Sequence, residues 1–524
     1  MSGAVRPPRS RRPAGPAYPY ARAGAEPMKY GAAMTKTFQM FIDGEYCDAS
    51  DGGRFDSINP ATEEVWASFP EATKEDVDRA VRAAHRAFES GPWSRMSARE
   101  RGNVLKRVAR ELEAAGPELA IAETTDTGKL LRETRWQAKN LAEIYEYYGG
   151  LADKVEGQLP PTGPDAPLAM IVREPLGVVA AVVPWNSQLQ LSAFKIAPAL
   201  AAGNTIVVKP SEEASAAVTA FAEIMRKAGV PDGVFNIVTG SANPCGQTLT
   251  SHPKVRRISF TGGVETARKI IAASAENIAM LSLELGGKSP VVVYDDADVD
   301  SAVNGMMSAI FAASGQSCAA GSRLLLQDGI YDRFLEKLVA RAGEIIIGDP
   351  MGEDTHMGPL ATRAQRDRIE DLLGKSQEAG AKILTGGGRG GFDKGWFFEP
   401  TIVECGDQDF PIVRNELFGP VLSVLRFREE DEAIRMARDS DYAFAGGVFT
   451  SDFGKAYRTA RAIPAGRFWI NTYRVTSYAM PFGGSANSGY GREGGIEAIH
   501  DYTQTKAIFA DLSGEKVSDP FVMR

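Results

Sequence analysis

The chain has 524 residues, with 59 Lys and Arg against 67 Asp and Glu, which gives a net charge of −8. Hydrophobic residues make up 44% and charged residues 24%, as in ordinary globular proteins. The acidic balance argues against nucleic acid or an anionic membrane as a partner. At about 150 residues per domain, the length predicts three or four folding units.

Cysteine and histidine are sparse, with four of each scattered along the chain. No two cysteines form a C-x-x-C pair, so the spacing predicts neither a zinc or multi-histidine metal site nor a disulfide framework. No apolar run approaches the roughly 18 residues that a membrane-spanning helix needs. We therefore expect a cytoplasmic protein with reduced thiols.

Residues 1–37 differ in composition from the rest of the chain. They are rich in Arg, Pro, Ala and Gly, and Glu26 is their single acid. A basic, acid-poor start can be read as an organelle transit peptide, but the prolines oppose an amphipathic helix. The composition favours a disordered extension, and Met28 or Met34 is a candidate for the true start.

The first part of the globular region is predicted to be mainly helical. A short strand and turn over 40–45 precede a helix over 75–88, in which apolar residues recur at helical spacing. Helical sequence continues over 98–122, where Gly116 and Pro117 predict a break, and again over 133–148. Residues 168–175 resemble one strand of a hairpin that leaves the main body.

The middle of the chain alternates short β-branched strands with helices, which is the pattern of a parallel sheet with crossover helices. Such a sheet places ligands at the carboxyl ends of its strands. A second α/β stretch runs from 290 to about 482, and a helix end and a last strand follow over 498–512. The strands of the first sheet are predicted at 178–183, 205–208, 234–238 and 258–260, and its helices at 194–202, 214–228 and 244–250.

Three stretches concentrate the reactive residue types. They are Glu-Leu-Gly-Gly-Lys-Ser-Pro at 284–290, Gly-Gln-Ser-Cys at 315–318 and Val-Pro-Trp-Asn at 183–186. Together they resemble the aldehyde dehydrogenase superfamily, in particular its NAD(P)-dependent, hydrolytic branch that does not acylate CoA. The resemblance runs from about residue 38 to 506 and includes the motifs at 209–212, 260–263, 415–420 and 481–484.

Cys318 is the candidate nucleophile. A thiolate that adds to an aldehyde makes a tetrahedral oxyanion from which hydride leaves readily, and the resulting thioester can be opened by water. Small neighbours such as Ser317 and Ala319 leave room for a substrate. An inert buried thiol is the alternative interpretation, and Cys47, Cys245 and Cys405 keep it.

Asn186 and Glu284 complete the predicted chemistry. Asn186 follows an apolar strand, where it is either a turn former or, as the resemblance implies, the side-chain donor to the oxyanion. Glu284 has an apolar flank and precedes two glycines, so it can activate water if burial raises its pKa. The resemblance makes this glutamate the mark of the hydrolytic enzymes.

The cofactor site lacks the G-x-G-x-x-G fingerprint. Gly262 and Gly263 would instead let the backbone approach a pyrophosphate at a helix start, unless they form a plain turn. The chain lacks the family's usual serine after the first glycine and has Ala267 where glycine is common. The resemblance assigns the adenosine ribose to Lys209 and Glu212, and Glu212 would repel a 2′-phosphate, so NAD is favoured over NADP. It also assigns cofactor contacts to Trp185, Leu285, Glu416 and Phe418.

The substrate is expected to reach Cys318 past polar side chains. Ser187, Gln188, Ser317, Ala319 and the loop 471–481 are predicted to line the access tunnel. Arg474 in that loop can pair with a carboxylate, which predicts a polar or carboxylated semialdehyde as substrate. An ordinary exposed loop arginine is the alternative.

The resemblance also implies an architecture. It gives an NAD-binding domain from 38–156 and 176–287, a catalytic domain over 288–487, and an oligomerisation element from 157–175 and 500–513. The expected product is a carboxylic acid, made by a homodimer or homotetramer. A CoA-acylating dehydrogenase and a non-catalytic protein of the same fold remain as alternatives.

Overall fold

The computed structural model describes residues 35–163, 167–517 and 519–521. The expected disordered extension lies mostly outside these residues. Its expected end at residue 37 is wrong, because Lys36 and Thr37 form a strand. Within the described ranges, no helix has both the length and the apolar character to cross a bilayer.

The described residues form helices and strands throughout. The helices are α1 (Lys74–Glu89), α2 (Pro92–Arg95), α3 (Ala98–Thr127), α4 (Leu131–Leu151), α5 (Gln188–Ala201), α6 (Ala216–Thr219), α7 (Phe221–Lys227), α8 (Gln247–Ser251), α9 (Val264–Ala273), α10 (Val299–Phe311), α11 (Tyr331–Gly343), α12 (Arg363–Glu378), α13 (Pro411–Arg414), α14 (Glu430–Arg438), α15 (Phe453–Ala462) and α16 (Gly495–Asp501). The strands are β1 (Lys36–Thr37), β2 (Met40–Ile42), β3 (Glu45–Cys47), β4 (Arg54–Asn59), β5 (Glu64–Pro70), β6 (Leu168–Pro175), β7 (Val178–Val183), β8 (Thr205–Pro210), β9 (Phe235–Ile237), β10 (Val255–Thr261), β11 (Met280–Glu284), β12 (Pro290–Val293), β13 (Arg323–Gln327), β14 (Lys382–Thr385), β15 (Thr401–Glu404), β16 (Val421–Phe427), β17 (Tyr442–Ala443), β18 (Ala445–Phe449), β19 (Arg467–Ile470), β20 (Ser485–Ala486), β21 (Gly489–Tyr490) and β22 (Thr503–Ala510).

The first large sheet has the strand order β21-β11-β10-β7-β8-β9-β2-β3. Its central strands β11, β10, β7, β8 and β9 run parallel. Strand β7 is buried on both faces, because Val179 and Ala181 join the core under α3, α4 and α5, and Val178 and Ala180 join the core under α1. A strand covered on both faces reads as a continuous apolar run, as residues 178–183 do.

The second large sheet has the order β14-β15-β16-β13-β12-β18-β19 and is parallel except for β14. Strand β12 shows the same alternation, with Val291 and Val293 in one core and Val292 in the other. A separate ribbon pairs β6 with β22 antiparallel, from Pro175 opposite Thr503 to Leu168 opposite Ala510.

Two helices differ from the sequence prediction. The break at Gly116 and Pro117 is wrong, because α3 runs unbroken through both. Leu112 before the proline and Leu119 after it pack into the same core, and this burial outweighs the backbone hydrogen bond that proline loses. The single helix expected over 214–228 is divided into α6 and α7.

Buried Asp126, near the end of α3, joins four segments below the first sheet. It accepts hydrogen bonds from Ser57 at 2.6 Å, from the Trp66 indole at 3.1 Å and from the backbone N–H of Ala216 at 2.9 Å. Gln188 donates to the same carboxyl group at 3.5 Å. Burial raises the pKa of Asp126 to about 6, so the carboxyl group depends on these donors.

Removing this carboxyl group is expected to destabilise the fold. Asp126→Ala leaves buried donors without an acceptor, which costs about 3 kcal/mol. The measurement is the free energy of unfolding from urea denaturation, with exposed Asp56→Asn as the matched control. Equal stability of the two variants would contradict the structural role of Asp126.

Candidate active site

Four neighbouring parallel strands end at one edge of the first sheet, and each is followed by polar or glycine residues. Strand β7 leads to Asn186, β8 ends beside Lys209, β10 leads to Gly262, and β11 ends at Glu284. Because carboxyl ends of adjacent parallel strands meet, residues far apart in sequence come together here.

Cys318 belongs to the part of the chain that forms the second large sheet. It lies in the segment between α10 and β13, after three residues with left-handed backbone, Ala313, Ser314 and Gly315. Gly315 is required at its position, because a Cβ there would collide with the carbonyl of Gly419. The backbone N–H of Ala313 is held by Glu133 Oε1 at 2.9 Å, which fixes the start of this strained segment.

One cavity of about 760 Å³ collects several of the predicted residues. Asn186 and Cys318 share its wall, and the Asn186 amide donates to the carbonyl of Gln316 at 3.1 Å. Among the described residues, no acceptor is found for the backbone N–H of Cys318. The cavity is also lined by Ser187, Ser317, Ala319 and Arg474.

Gln188 does not line the cavity, so this part of the prediction is wrong. Its side chain is fully buried and turns to Asp126, because Gln188 opens helix α5 and faces α3. Arg474 does reach the cavity. Its Nη2 donates to the carbonyls of Ala312 at 3.1 Å and Ala309 at 3.4 Å, while its buried Nε has no partner within the described ranges.

Glu284 lies outside the cavity lining and is 1% exposed. Neither of its carboxyl oxygens has a hydrogen-bond partner among the described residues. Burial, followed by the charge of Glu493, raises the pKa of Glu284 well above its ordinary value. Gly483 makes room for this side chain, since a Cβ there would collide with Glu284 Oε1.

The Cys318 thiol is held in its neutral form. Burial is the main cause of its raised pKa, and the carboxyl groups of Glu284 and Glu416 add to it. The positive charge of Arg474 acts in the opposite direction and favours the thiolate.

A buried ion pair lies beneath these residues. Lys195 of α5 binds Glu493, Thr261 Oγ1 at 2.7 Å and Ser259 Oγ at 3.2 Å. Sequence reasoning missed Lys195, although the single charged residue in a mainly apolar helix was a usable signal. It also missed Lys129, Glu133 and Gln137, for which the sequence carries no comparable signal.

The residues expected at the pyrophosphate and the adenosine ribose lie at the carboxyl ends of β10 and β8. Gly262 lies against the Phe260 ring, while a Cβ at Gly263 would meet nothing within 4 Å, so the start of α9 is open to a ligand. Lys209 Nζ lies 3.3 Å from Glu212 at the end of β8.

Glu416 is one of the residues expected to contact the nicotinamide half of the cofactor. Its carboxylate accepts a hydrogen bond from the Gly287 N–H at 2.9 Å. Burial raises the pKa of Glu416 to about 7. Trp185 packs edge-on against Phe418 with ring centres 5.3 Å apart, and Leu285 is buried. In the part of the chain that the structure describes, no group of three or more His, Cys, Asp or Glu is placed to hold a metal.

Comparison with known proteins identifies the class. The model of the aldehyde dehydrogenase family matches residues 46–508. The chain therefore belongs to the aldehyde dehydrogenase family, which confirms the α/β fold class and the expectation of an oxidoreductase that acts on aldehydes.

Individual relatives are similar over nearly their whole length. A (Z)-2-((N-methylformamido)methylene)-5-hydroxybutyrolactone dehydrogenase of Acinetobacter baylyi is 51% identical, covering 93% of this chain and 99% of the relative. An NAD-dependent aldehyde dehydrogenase from Sinorhizobium meliloti has a TM-score of 0.91 at 37% identity, covering 93% and 97%. A betaine aldehyde dehydrogenase from Staphylococcus aureus in complex with NAD+ has a TM-score of 0.90 at 38% identity, covering 93% and 97%.

The raised pKa of Cys318 has a measurable consequence. Only the thiolate reacts with iodoacetamide, so the alkylation rate at Cys318 is expected to rise about tenfold per pH unit from about pH 7 to about pH 9. Peptide mass spectrometry separates Cys318 from the other three cysteines. A rate that levels off by about pH 9, where an ordinary thiol is largely ionised, would contradict the raised pKa.

Proposed function

We propose that this chain oxidises an aldehyde to the carboxylic acid with NAD, through a thiohemiacetal and a thioester on Cys318. The observation that carries the proposal is the common cavity of Cys318 and Asn186, where a thiol and an amide donor face one space. Family membership supports the reaction class. Small-molecule aldehydes are therefore the proposed partners.

The first half of the reaction is assigned to Cys318 and Asn186. The Cys318 thiol first releases its proton to solvent; the thiolate sulfur then adds to the carbonyl carbon, and the carbonyl oxygen becomes an oxyanion. The Asn186 amide keeps one hydrogen on Gln316 and has a second for the oxyanion, and the free N–H of Cys318 supplies another donor. Bound NAD supplies the hydride acceptor.

The second half is assigned to Glu284. The thioester must be opened by water, and a carboxylate removes the water proton most effectively when its pKa is near the working pH. Burial raises the pKa of Glu284 in that direction. The empty hydrogen-bonding positions on both of its oxygens leave them free to accept from water.

The residues at the carboxyl ends of β8 and β10 fit a dinucleotide. The open start of α9 at Gly262 and Gly263 suits the pyrophosphate, and Lys209 with Glu212 suits the ribose hydroxyls. Glu416, Phe418, Trp185 and Leu285 are proposed to hold the nicotinamide half. NAD+ is bound in the similar betaine aldehyde dehydrogenase structure, which supports the same cofactor here.

The proposed substrate is a polar or carboxylated semialdehyde, with Arg474 as its anchor and with Ser187 and Ser317 lining its path. The Acinetobacter relative is named for a 5-hydroxybutyrolactone. Such a ring is the closed form of a 4-oxo acid, and its saturated carbon cannot accept a thiolate by addition. The open form, an aldehyde with a carboxylate, is therefore the species that we assign to Cys318.

The β6–β22 ribbon is proposed as the oligomerisation element of a homodimer or homotetramer. Its strand β22 is largely exposed, with Phe509 69% exposed, and exposed strands of this kind are normally covered. The two large sheets support the proposed NAD-binding and catalytic domains. All four cysteines are unpaired, which supports the proposed cytoplasmic location.

Glu284→Gln separates the two halves of the reaction. The variant is expected to release one equivalent of NADH per site in a burst and then to turn over about 10² to 10⁴-fold more slowly, because thioester hydrolysis lacks its base. Stopped-flow absorbance measures both phases, and Cys318→Ala is expected to give no NADH.

Exposed Glu276→Gln is the matched control for this experiment and should behave as the wild type. A proportional loss of burst and steady state would remove Glu284 from the hydrolytic step. Acyl-CoA as the wild-type product in the presence of CoA would favour the CoA-acylating alternative, and no NADH from any aldehyde would favour a non-catalytic role.

Glu212→Gln tests the choice of cofactor. Loss of the negative charge removes repulsion of a 2′-phosphate, so the ratio of kcat/KM for NADP to that for NAD is expected to rise about tenfold, which is a change of about 1.4 kcal/mol. Initial rates with both cofactors measure it, with exposed Glu75→Gln as control. An unchanged ratio would argue against a ribose contact at Glu212.

A further inference from the structure

The Ser187 hydroxyl already receives two hydrogen bonds. Lys129 Nζ donates to it at 2.7 Å, and Gln137 Nε2 donates at 3.4 Å. A serine oxygen has two lone pairs and one hydrogen, so both acceptor positions are filled and the hydrogen is left to donate. Within the described ranges no side chain or carbonyl accepts that hydrogen, and Ser187 lines the cavity of Cys318.

Lys129 makes this hydroxyl a strong donor. Its ammonium also donates to Gln137 Oε1 at 3.3 Å and lies 3.6 Å from Glu123 Oε1. These contacts orient the Gln137 amide, with its oxygen toward Lys129 and its nitrogen toward Ser187. Lys129 is 6% exposed, and a charged donor in such a site strengthens its own hydrogen bond and polarises the hydroxyl that accepts it.

We propose that Ser187, supported by Lys129 and Gln137, donates a hydrogen bond to the carboxylate that Arg474 is proposed to anchor, in a semialdehyde acid whose aldehyde end lies at Cys318. The assignment rests on the proposed oxidation of aldehydes at Cys318. Ser187 makes the contact with substrate, while Lys129 and Gln137 are positioning residues that fix the direction of its hydrogen.

The position of Ser187 favours substrates that carry a second oxygen group a few carbons from the aldehyde. It directly follows Asn186, so two donors stand on consecutive residues of one cavity wall. One donor is assigned to the aldehyde oxygen and the next to an oxygen a few carbons away. A carboxylate is favoured over a neutral carbonyl, because the charged residues of the cavity lining have a net positive balance: Lys129, Arg132, Arg467 and Arg474 against Glu133 and Glu143.

The test compares three aldehydes of the same four-carbon aldehyde skeleton: succinic semialdehyde, its methyl ester and butanal. In Ser187→Ala, the ratio of kcat/KM for succinic semialdehyde to that for butanal is expected to fall about tenfold or more. The methyl ester is expected to lose less than the free acid. Lys129→Gln, which removes the charge behind Ser187, is expected to change the ratio in the same direction.

A binding measurement gives a second readout that does not depend on turnover. In the Cys318→Ala background, calorimetry with succinate is expected to show about tenfold weaker binding when Ser187 is also replaced by alanine. Ser94→Ala is the matched control, because Ser94 is exposed on α2 and lies outside the cavity lining.

Each outcome decides a separate point. An unchanged ratio and unchanged succinate affinity in Ser187→Ala would overturn the inference while leaving the aldehyde oxidation intact. Equal losses for acid and ester would overturn the assignment to a carboxylate. Absence of NADH from every aldehyde in the wild type would overturn the proposed function, and succinate binding would still test Ser187.

Discussion

The buried ion pair of Lys195 and Glu493 is the contact on which the arrangement of the site depends. Lys195 projects from α5, the helix that follows Asn186 and Ser187, and Glu493 comes from the segment between β21 and α16. Through Thr261 the pair also holds the end of β10, which leads to Gly262 and Gly263. A buried charge without its partner costs several kcal/mol, so these three segments are fixed relative to one another.

This pair also sets the electrostatics of the neighbouring carboxyl group. The negative charge of Glu493 raises the pKa of Glu284 and the positive charge of Lys195 lowers it, while burial contributes most. A group buried without hydrogen-bond partners pays a large penalty for ionisation. The raised pKa of Glu284 is thus set in part by features of the fold that lie outside the cavity, in α5 and near the carboxyl end of the chain.

The sequence predicts the local parts of this structure better than its long-range contacts. The apolar runs of β7 and β8 are recognisable because both faces are buried, and the glycines near Glu284 mark a close approach of backbone. The family motifs identify Cys318 and Asn186 as candidate site residues, and both line the same cavity in the structure. The role of each site residue stays a prediction until it is tested.

Other features depend on neighbours that no local pattern reveals. Lys195 and Glu493 are 298 residues apart, and Lys129 reaches Ser187 across 58 residues. Pro117 continues a helix only because the residues on both sides of it share a core, and Gln188 leaves the expected tunnel because Asp126 binds it. In each case the outcome depends on a contact between distant parts of the chain. A local pattern in a single sequence does not predict such contacts.

Because Asn186 and Ser187 are adjacent, a change in substrate range at Ser187 is coupled to the catalytic rate, although protein engineers usually wish to vary these two properties separately. Both side chains leave one short turn between β7 and α5, so a replacement at Ser187 that shifts this turn also moves the amide next to it. Given the roles proposed for these two residues, a replacement at Ser187 that admits bulkier or apolar aldehydes is therefore expected to lower the catalytic rate as well. Variation in the loop that contains Ser477, on a different segment of the same cavity, avoids that trade-off.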